Sequence, residues 1–183
     1  MQTFSGARYY PMDPRAEDIH PEDIAHALGM LCRYGGHVRE FYSVAEHCVL
    51  MSHAVPAEDA LHALLHDATE AYVVDVPRPV KRYLTNYKDI ENRVWGAIST
   101  RFGVSPVLPA SVLAADNRII LNEKAVLLLD SESEWPGFER LKPLDITIRA
   151  WSPARARLEY IDRLYDLLDA KGEREYRELG GEA

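Results

Sequence analysis

The chain has 183 residues, 47% hydrophobic and 27% charged, with a formal net charge of −8. That length suits one domain whose core needs no disulfides. The acidic balance argues against a nucleic-acid polymer as partner, which requires clustered Lys and Arg, but leaves room for a small phosphorylated ligand held by a few local cations.

Residues 1–18 carry Gly, Pro, Tyr and charge without helical periodicity and read as an extended arm or short hairpin, covering the site or a partner subunit. Pro21-Glu22-Asp23 is a helix start, because Pro suits the first turn and acids suit the positive end of the helix dipole; the helix runs over about 21–33 to Gly35-Gly36. Ser43-Val-Ala-Glu46 reads as a capping box, in which Ser43 and Glu46 each take a terminal amide, opening a helix of about ten residues that carries His47. Pro56-Ala-Glu58-Asp59 opens the next, with apolar positions 61, 64, 65, 68 and 71, and Asp75-Val-Pro77-Arg-Pro79 breaks it ahead of Lys81. Apolar spacing at 90, 94, 95, 98 and 102 predicts a helix over about 87–102, stopped by Gly103 and Pro106. A very apolar helix follows over about 110–130, then a loop over 131–148, then an amphipathic helix from Ser152-Pro153 to about 171 with a mobile polar tail beyond Gly172.

No alternation is long enough for a sheet, so the chain reads as one all-α domain over 1–183: an N-terminal arm (1–18), a helical core (21–130) and a C-terminal helix (152–172). The apolar faces at 90–98 and 158–168 are candidates for a helical dimer interface. Cys32 and Cys48 sit in apolar stretches that read as helical, at no metal or disulfide spacing, which fits free thiols in a reducing cytoplasm. No apolar run reaches the ~18 residues of a membrane span, and no secretion signal opens the chain.

The chemistry concentrates in ALHALLHDATEAYVVDVPRPVK, residues 60–81. An imidazole and a carboxylate adjacent on an apolar helix, His66-Asp67, are costly to bury without a partner, and a divalent cation satisfies both. Glu70 lies one turn further on the same face. His47, one element earlier, and Asp116, two helices later, complete an H…HD…D order. The resulting set of two imidazoles and two carboxylates suits Co, Mn, Mg, Fe, Ni or Zn and leaves positions open for water and substrate. Taken singly, each has a plainer reading: His47 as a satisfied histidine, Asp116 as a surface acid, Asp67 as the partner of an Arg. His62, four residues before His66, is a rival ligand.

One divalent metal would acidify a bound water to give hydroxide near neutral pH, and Glu70 is placed to move the proton. Phosphoryl transfer needs cations around the equatorial oxygens, and Arg33, Arg39 and Lys81 are the candidates. Their alternatives are a salt bridge for Arg33 and a solvated helix start for Lys81. Asp75 is a substrate contact or a turn cap. His37 follows two glycines that let backbone approach a ligand, and Tyr34 offers a ring for a base or for the core.

These residues resemble the HD-domain metal-dependent phosphohydrolases, and most closely the bacterial HD-domain 5′-deoxynucleotidases and related phage deoxynucleoside triphosphohydrolases. Three segments carry the likeness: Arg39-EFYSVAEH-Cys48, LLHDATEAYVVDVPRPVKRYL with YKDIE, and LAADNRIILNEKAV, of which HDxxE…DxPxPxK is the specific part. The resemblance implies an all-helical HD-domain bundle with one divalent metal, usually dimeric, held by His47, His66, Asp67 and Asp116. It makes Asp67 and Glu70 the catalytic pair, with Glu70 as acid/base. It gives Asp75 to the sugar 3′-hydroxyl, Lys81 to phosphate, and the Arg33-Tyr34 pair to phosphate and base. This chain departs from those nucleotidases in a shorter His47–His66 segment, the Gly35-Gly36-His37 insert, and Tyr in place of their Trp.

The leading expectation is a 5′-deoxynucleotidase acting on deoxynucleoside monophosphates by way of a metal-bound hydroxide, as a homodimer or higher homo-oligomer. The alternatives are a deoxynucleoside triphosphohydrolase, for example on dATP, and a non-catalytic nucleotide-binding module.

Overall fold

The computed structural model describes residues 1–130, 135 and 137–178, with side chains to residue 174. The fold is all-α. Among the described residues eight α-helices follow in order: α1 (Pro21–Met30), α2 (Val44–Ala54), α3 (Ala60–Leu65), α4 (Glu70–Val73), α5 (Arg78–Lys81), α6 (Tyr87–Phe102), α7 (Ala110–Leu127) and α8 (Pro153–Glu178). Among the described residues there is no strand, only isolated antiparallel bridges at Gln2–Arg8 and Cys32–Ser43. No helix among them is long and apolar enough to cross a membrane.

The long helices follow from their apolar stripes. On α8, Ala156, Tyr160, Leu164 and Leu167 recur at helical spacing and are buried against Ile24 and Leu28 of α1, Val44 and Cys48 of α2, and Leu61, Leu64 and Leu65 of α3. Val94, Ile98 and Phe102 of α6 join the same core. The two faces expected to pair with another copy are thus largely spent inside the chain; Leu158 and Tyr165 are the exposed exceptions on α8. Helix α1 approaches α8 so closely that a Cβ on Gly29 would stand 3.0 Å from the Pro153 carbonyl. A smaller cluster of Met51, Ala63, Val112, Ala115, Ile119 and Leu144 fastens α7 to α2 and α3.

Several boundaries differ from expectation. Helix α1 stops at Met30 because Leu31 turns to extended backbone and residues 31–33 pair with 42–44: Arg33 N–H donates to Tyr42 O at 2.9 Å and Val44 N–H to Leu31 O at 3.0 Å. Cys32 lies in that pairing rather than in a helix, while Cys48 is buried on α2; both are free thiols. Helix α8 runs on through Gly172 to Glu178, so the expected tail is helical as far as it is described; residues 179–183 lie outside the described residues, as do 131–134 and 136 of the expected loop. The N-terminal arm is a tight hairpin-like loop. It docks on α1 through Ser5, whose N–H and Oγ–H both donate to Asp23, and on α4 through buried Tyr9, stacked 4.1 Å from Tyr72.

Only half of the capping box forms. Ser43 Oγ accepts from Glu46 N–H at 3.0 Å. The Glu46 carboxylate turns away and accepts the backbone N–H groups of Arg149 (2.7 Å), Ala150 (3.1 Å) and Trp151 (2.6 Å), with Ala150 held at φ 52°. Three oriented amides satisfy a buried carboxylate better than the single N-terminal amide of its own helix.

Candidate metal centre

Four elements deliver the ligands. His47, fully buried on α2, donates from Nδ1 to Glu123 Oε1 of α7 at 2.7 Å, which leaves its Nε2 lone pair free. His66 ends α3 and donates from Nδ1 to Ala63 O at 2.8 Å, so its Nε2 is also free. The two Nε2 atoms face each other at 3.3 Å. Asp67 Oδ2 stands 3.2 Å from His66 Nε2 and 3.6 Å from His47 Nε2. Asp116 Oδ1, from α7, is 3.6 and 3.9 Å from His47 and His66 Nε2 respectively. His47, His66 and Asp67 offer ligand atoms all within 4.8 Å of one another.

This donor set fits a divalent cation. Ligands at ~2.1 Å from a first-row metal stand ~3–4 Å apart, the spacing found here. Two imidazole lone pairs turned on each other repel unless a cation or a proton lies between them. Burial would lower the His66 pKa, but the Asp67 carboxylate overrides it and raises it well above the usual range. Asp67 is the converse case, since burial would raise it yet His66, His47 and Arg33 hold it well below the carboxylate range. Asp116 is likewise held down, to about 2, by the two imidazoles.

The helix expected to run from His66 through Glu70 is interrupted. Over residues 66–69 the backbone tightens into turns, with Ala68 N–H donating to Leu65 O and Glu70 N–H to Asp67 O, before α4 begins at Glu70. The cause is visible at Ala63, whose carbonyl takes the His66 ring where a continuing helix would give it the Asp67 amide. Glu70 nonetheless comes to the site. It is 5% exposed, and its Oε2 has no hydrogen-bond partner. Burial and the nearby Asp67 and Asp75 carboxylates push its pKa up to about 9. A buried, unpartnered carboxylate oxygen beside a ligand cluster is costly unless it takes a proton or lies near a cation.

The expected substrate contacts divide. Arg33 is held by carboxylates: Nη1 donates to Asp67 Oδ2 at 3.4 Å and Nη2 to Glu123 Oε2 at 3.2 Å. Tyr34, at φ 57°, donates its hydroxyl to the same Glu123 oxygen at 2.5 Å. Lys81 donates to Glu91 Oε1 at 2.7 Å and lies over the Tyr87 ring. Asp75 is half-buried, and burial raises its pKa while Arg33 and Lys81 pull it back. His37 is exposed at the end of a short 3-10 turn. Arg39 points elsewhere, its Nη2 donating to Val126 O at the end of α7. His62 reaches Ser105 O at 3.2 Å and stays out of the cluster.

Two residues escaped the sequence reading. Glu123 is fully buried and gathers His47, Arg33 and Tyr34; burial would raise its pKa, but Arg33 and His47 bring it down to about 2. Its signal was its place seven residues after Asp116, two turns along one face of an apolar helix. Trp95 of α6 was read only as a core position. It lines a cleft of about 220 Å³ that opens on His66, Asp67 and Asp116 and is walled by Leu108, Val112 and Leu113. The open space beside the ligands is therefore lined by residues of α6 and α7, and none of residues 33–39 lines it.

The protein is all-helical and brings two histidines and two aspartates together beside a cleft, of which His47, His66 and Asp67 form a group that could hold a metal ion. No family model matches the chain. Over 172 residues, 93% of this chain and 97% of the other, it is 38% identical to the uncharacterized protein YfdR of Escherichia coli (strain K12), and it belongs to that family. It is also 37% identical over 121 residues to the uncharacterized protein RCAP_rcc00048 of Rhodobacter capsulatus, spanning 61% of this chain and 62% of that one.

Proposed function

We propose that the protein is a divalent-metal-dependent phosphohydrolase of the HD-domain type acting on deoxynucleotides, and specifically a 5′-deoxynucleotidase on deoxynucleoside monophosphates. The observation that carries this reading is the convergence of two Nε2 atoms and two aspartate oxygens at an open cleft, with the unpartnered Glu70 carboxylate beside them. His47, His66, Asp67 and Asp116 would hold the cation. When bound, it supplies positive charge that acidifies a water and polarises a phosphoryl oxygen. Glu123 and the Ala63 carbonyl fix the two imidazole tautomers, so both Nε2 atoms are ready without reorganisation. Glu70, with an unpartnered carboxylate oxygen near Asp67, takes the proton from the attacking water. Asp75 accepts from the sugar 3′-hydroxyl, and Lys81 compensates phosphate charge. The neutralisation of Arg33 by Asp67 and Glu123 supports a substrate with one phosphate rather than three, because few cations stay available for a longer anion. Free thiols at Cys32 and Cys48 support a reducing, cytoplasmic setting.

The test is a panel of ribo- and deoxynucleotides at each phosphorylation level, with several divalent ions, read by phosphate release. Release of orthophosphate from dAMP with none from dATP is the expected outcome. Release of triphosphate from dATP would transfer the assignment to triphosphohydrolase, and no release under any ion would leave a binding module.

A further inference from the structure

The cations around the ligand cluster differ in what holds them. Arg33 is nearly buried between two carboxylates, and Lys81 is committed to Glu91. Arg78 on α5 is different. Its side chain is 56% exposed. Its Nη2 donates to Asp116 Oδ2 and its Nη1 to Asn117 Oδ1 at 3.3 Å, while the other Asp116 oxygen, Oδ1, faces His47 and His66. The guanidinium thus stands one carboxylate away from the ligand atoms, on the solvent side, beside a wall residue of the cleft.

We propose that Arg78 is an anion-binding residue of this site, taking a phosphate-sized oxyanion, the phosphoryl group of the substrate, as it enters beside Asp116. The identity of the anion rests on the phosphohydrolase reading; the existence of an anion site does not. Three features carry the inference. Asp67, Asp116 and Glu91 line the cleft, with Glu70 and Asp75 close enough to Asp67 to interact with it, so a doubly charged phosphate meets repulsion unless a cation waits on the side it enters. A guanidinium carries five N–H donors, and Arg78 spends two of them on Asp116 and Asn117. Those left can take phosphate oxygens while the hold on Asp116 persists. Finally, Pro77 and Pro79 flank Arg78 and fix φ on both sides, so an exposed side chain stands on stiff backbone.

The test compares the wild-type full chain with R78Q and R78K, each with and without Mn²⁺. It reads Mn²⁺ affinity and the Kd for inorganic orthophosphate by calorimetry, with KM for dAMP alongside. Expected for R78Q is orthophosphate binding weakened about tenfold or more, at saturating Mn²⁺ as well as without it, beyond any fall in Mn²⁺ affinity; R78K recovers part of the loss, since the charge stays and the fork does not. An unchanged orthophosphate Kd in R78Q overturns the proposal. So does a loss that merely tracks a fall in Mn²⁺ affinity, which would make Arg78 a positioning residue for Asp116. A wild-type chain that binds no orthophosphate in either condition overturns it too. If orthophosphate binding depends on Arg78 yet no nucleotide is hydrolysed, the anion site stands and the phosphohydrolase reading falls.

Discussion

The two sides of the candidate centre are built differently. His47, Glu123 and Asp116 come from long helices, α2 and α7, and His47 and Glu123 are wholly buried. Glu70, Asp75, Arg78 and Lys81 come from two four-residue helices and the turns between them, and most of residues 74–86 face solvent. One side is fixed by packing and by paired charges. The other is held by a few hydrogen bonds on a stretch punctuated by prolines. The contrast matches a division of labour in which the buried side sets ligand geometry and the exposed side meets whatever enters the cleft.

The sharpest way to break that contrast is Asp67→Ala, which touches both sides. Metal content and phosphate release are both expected to vanish; a variant that keeps its rate would remove Asp67 from the ligand set. Glu70→Gln should act on chemistry alone, keeping metal by elemental analysis while the rate of phosphate release falls about 10²–10⁴-fold. Glu123→Gln should act on the buried side alone. It leaves Arg33 short of a carboxylate and His47 without its charged anchor, so metal affinity should fall about 10–100-fold, with a lowered melting temperature. Smaller is a pH effect in the metal-free protein. Glu70 has its carboxyl raised from the ordinary range to about 9, so its contribution is complete below pH 4.5 and is lost as pH rises toward 9. His66, also raised, acts with the same sign. Denaturation in chelator should therefore show stability falling across that window, less steeply in Glu70→Gln. Least of all, Arg39→Ala removes one exposed hydrogen bond to Val126 O, worth about 1 kcal/mol, and should leave phosphate release unchanged.

How much of this was legible depends on where the partner of each residue lies in the chain. The ligand candidates were visible because a metal demands residue types, and His47, His66, Asp67 and Asp116 have those types on apolar helices. Helices α6 and α7 were readable from their own periodicity and, for α6, from Gly103, which closes the helix in the left-handed conformation at φ 61°. The other features turn on competing partners, two of them distant in sequence and one only three residues away. Glu46 fits a capping box locally and is claimed instead by amides about a hundred residues later. Arg33 has the right type for a phosphate and is claimed by Asp67 and Glu123. The continuous helix through Asp67 satisfies periodicity and loses to a side-chain bond at Ala63. Local pattern cannot report a competition whose winner sits elsewhere in the chain.

The Glu46 carboxylate also sets a schedule. It is the immediate neighbour of His47, and its three amide partners sit just ahead of α8. The turn bearing the first histidine is therefore completed by a segment synthesised long after it, and closing so large a loop is slow. A nascent chain that has emerged as far as Asp116 holds all four candidate ligands, but Glu46 still lacks its three amide donors and the core still lacks α8. Completion of the turn that bears His47 would then wait for residues 149–151, and the helix that follows them would act as the latch on it.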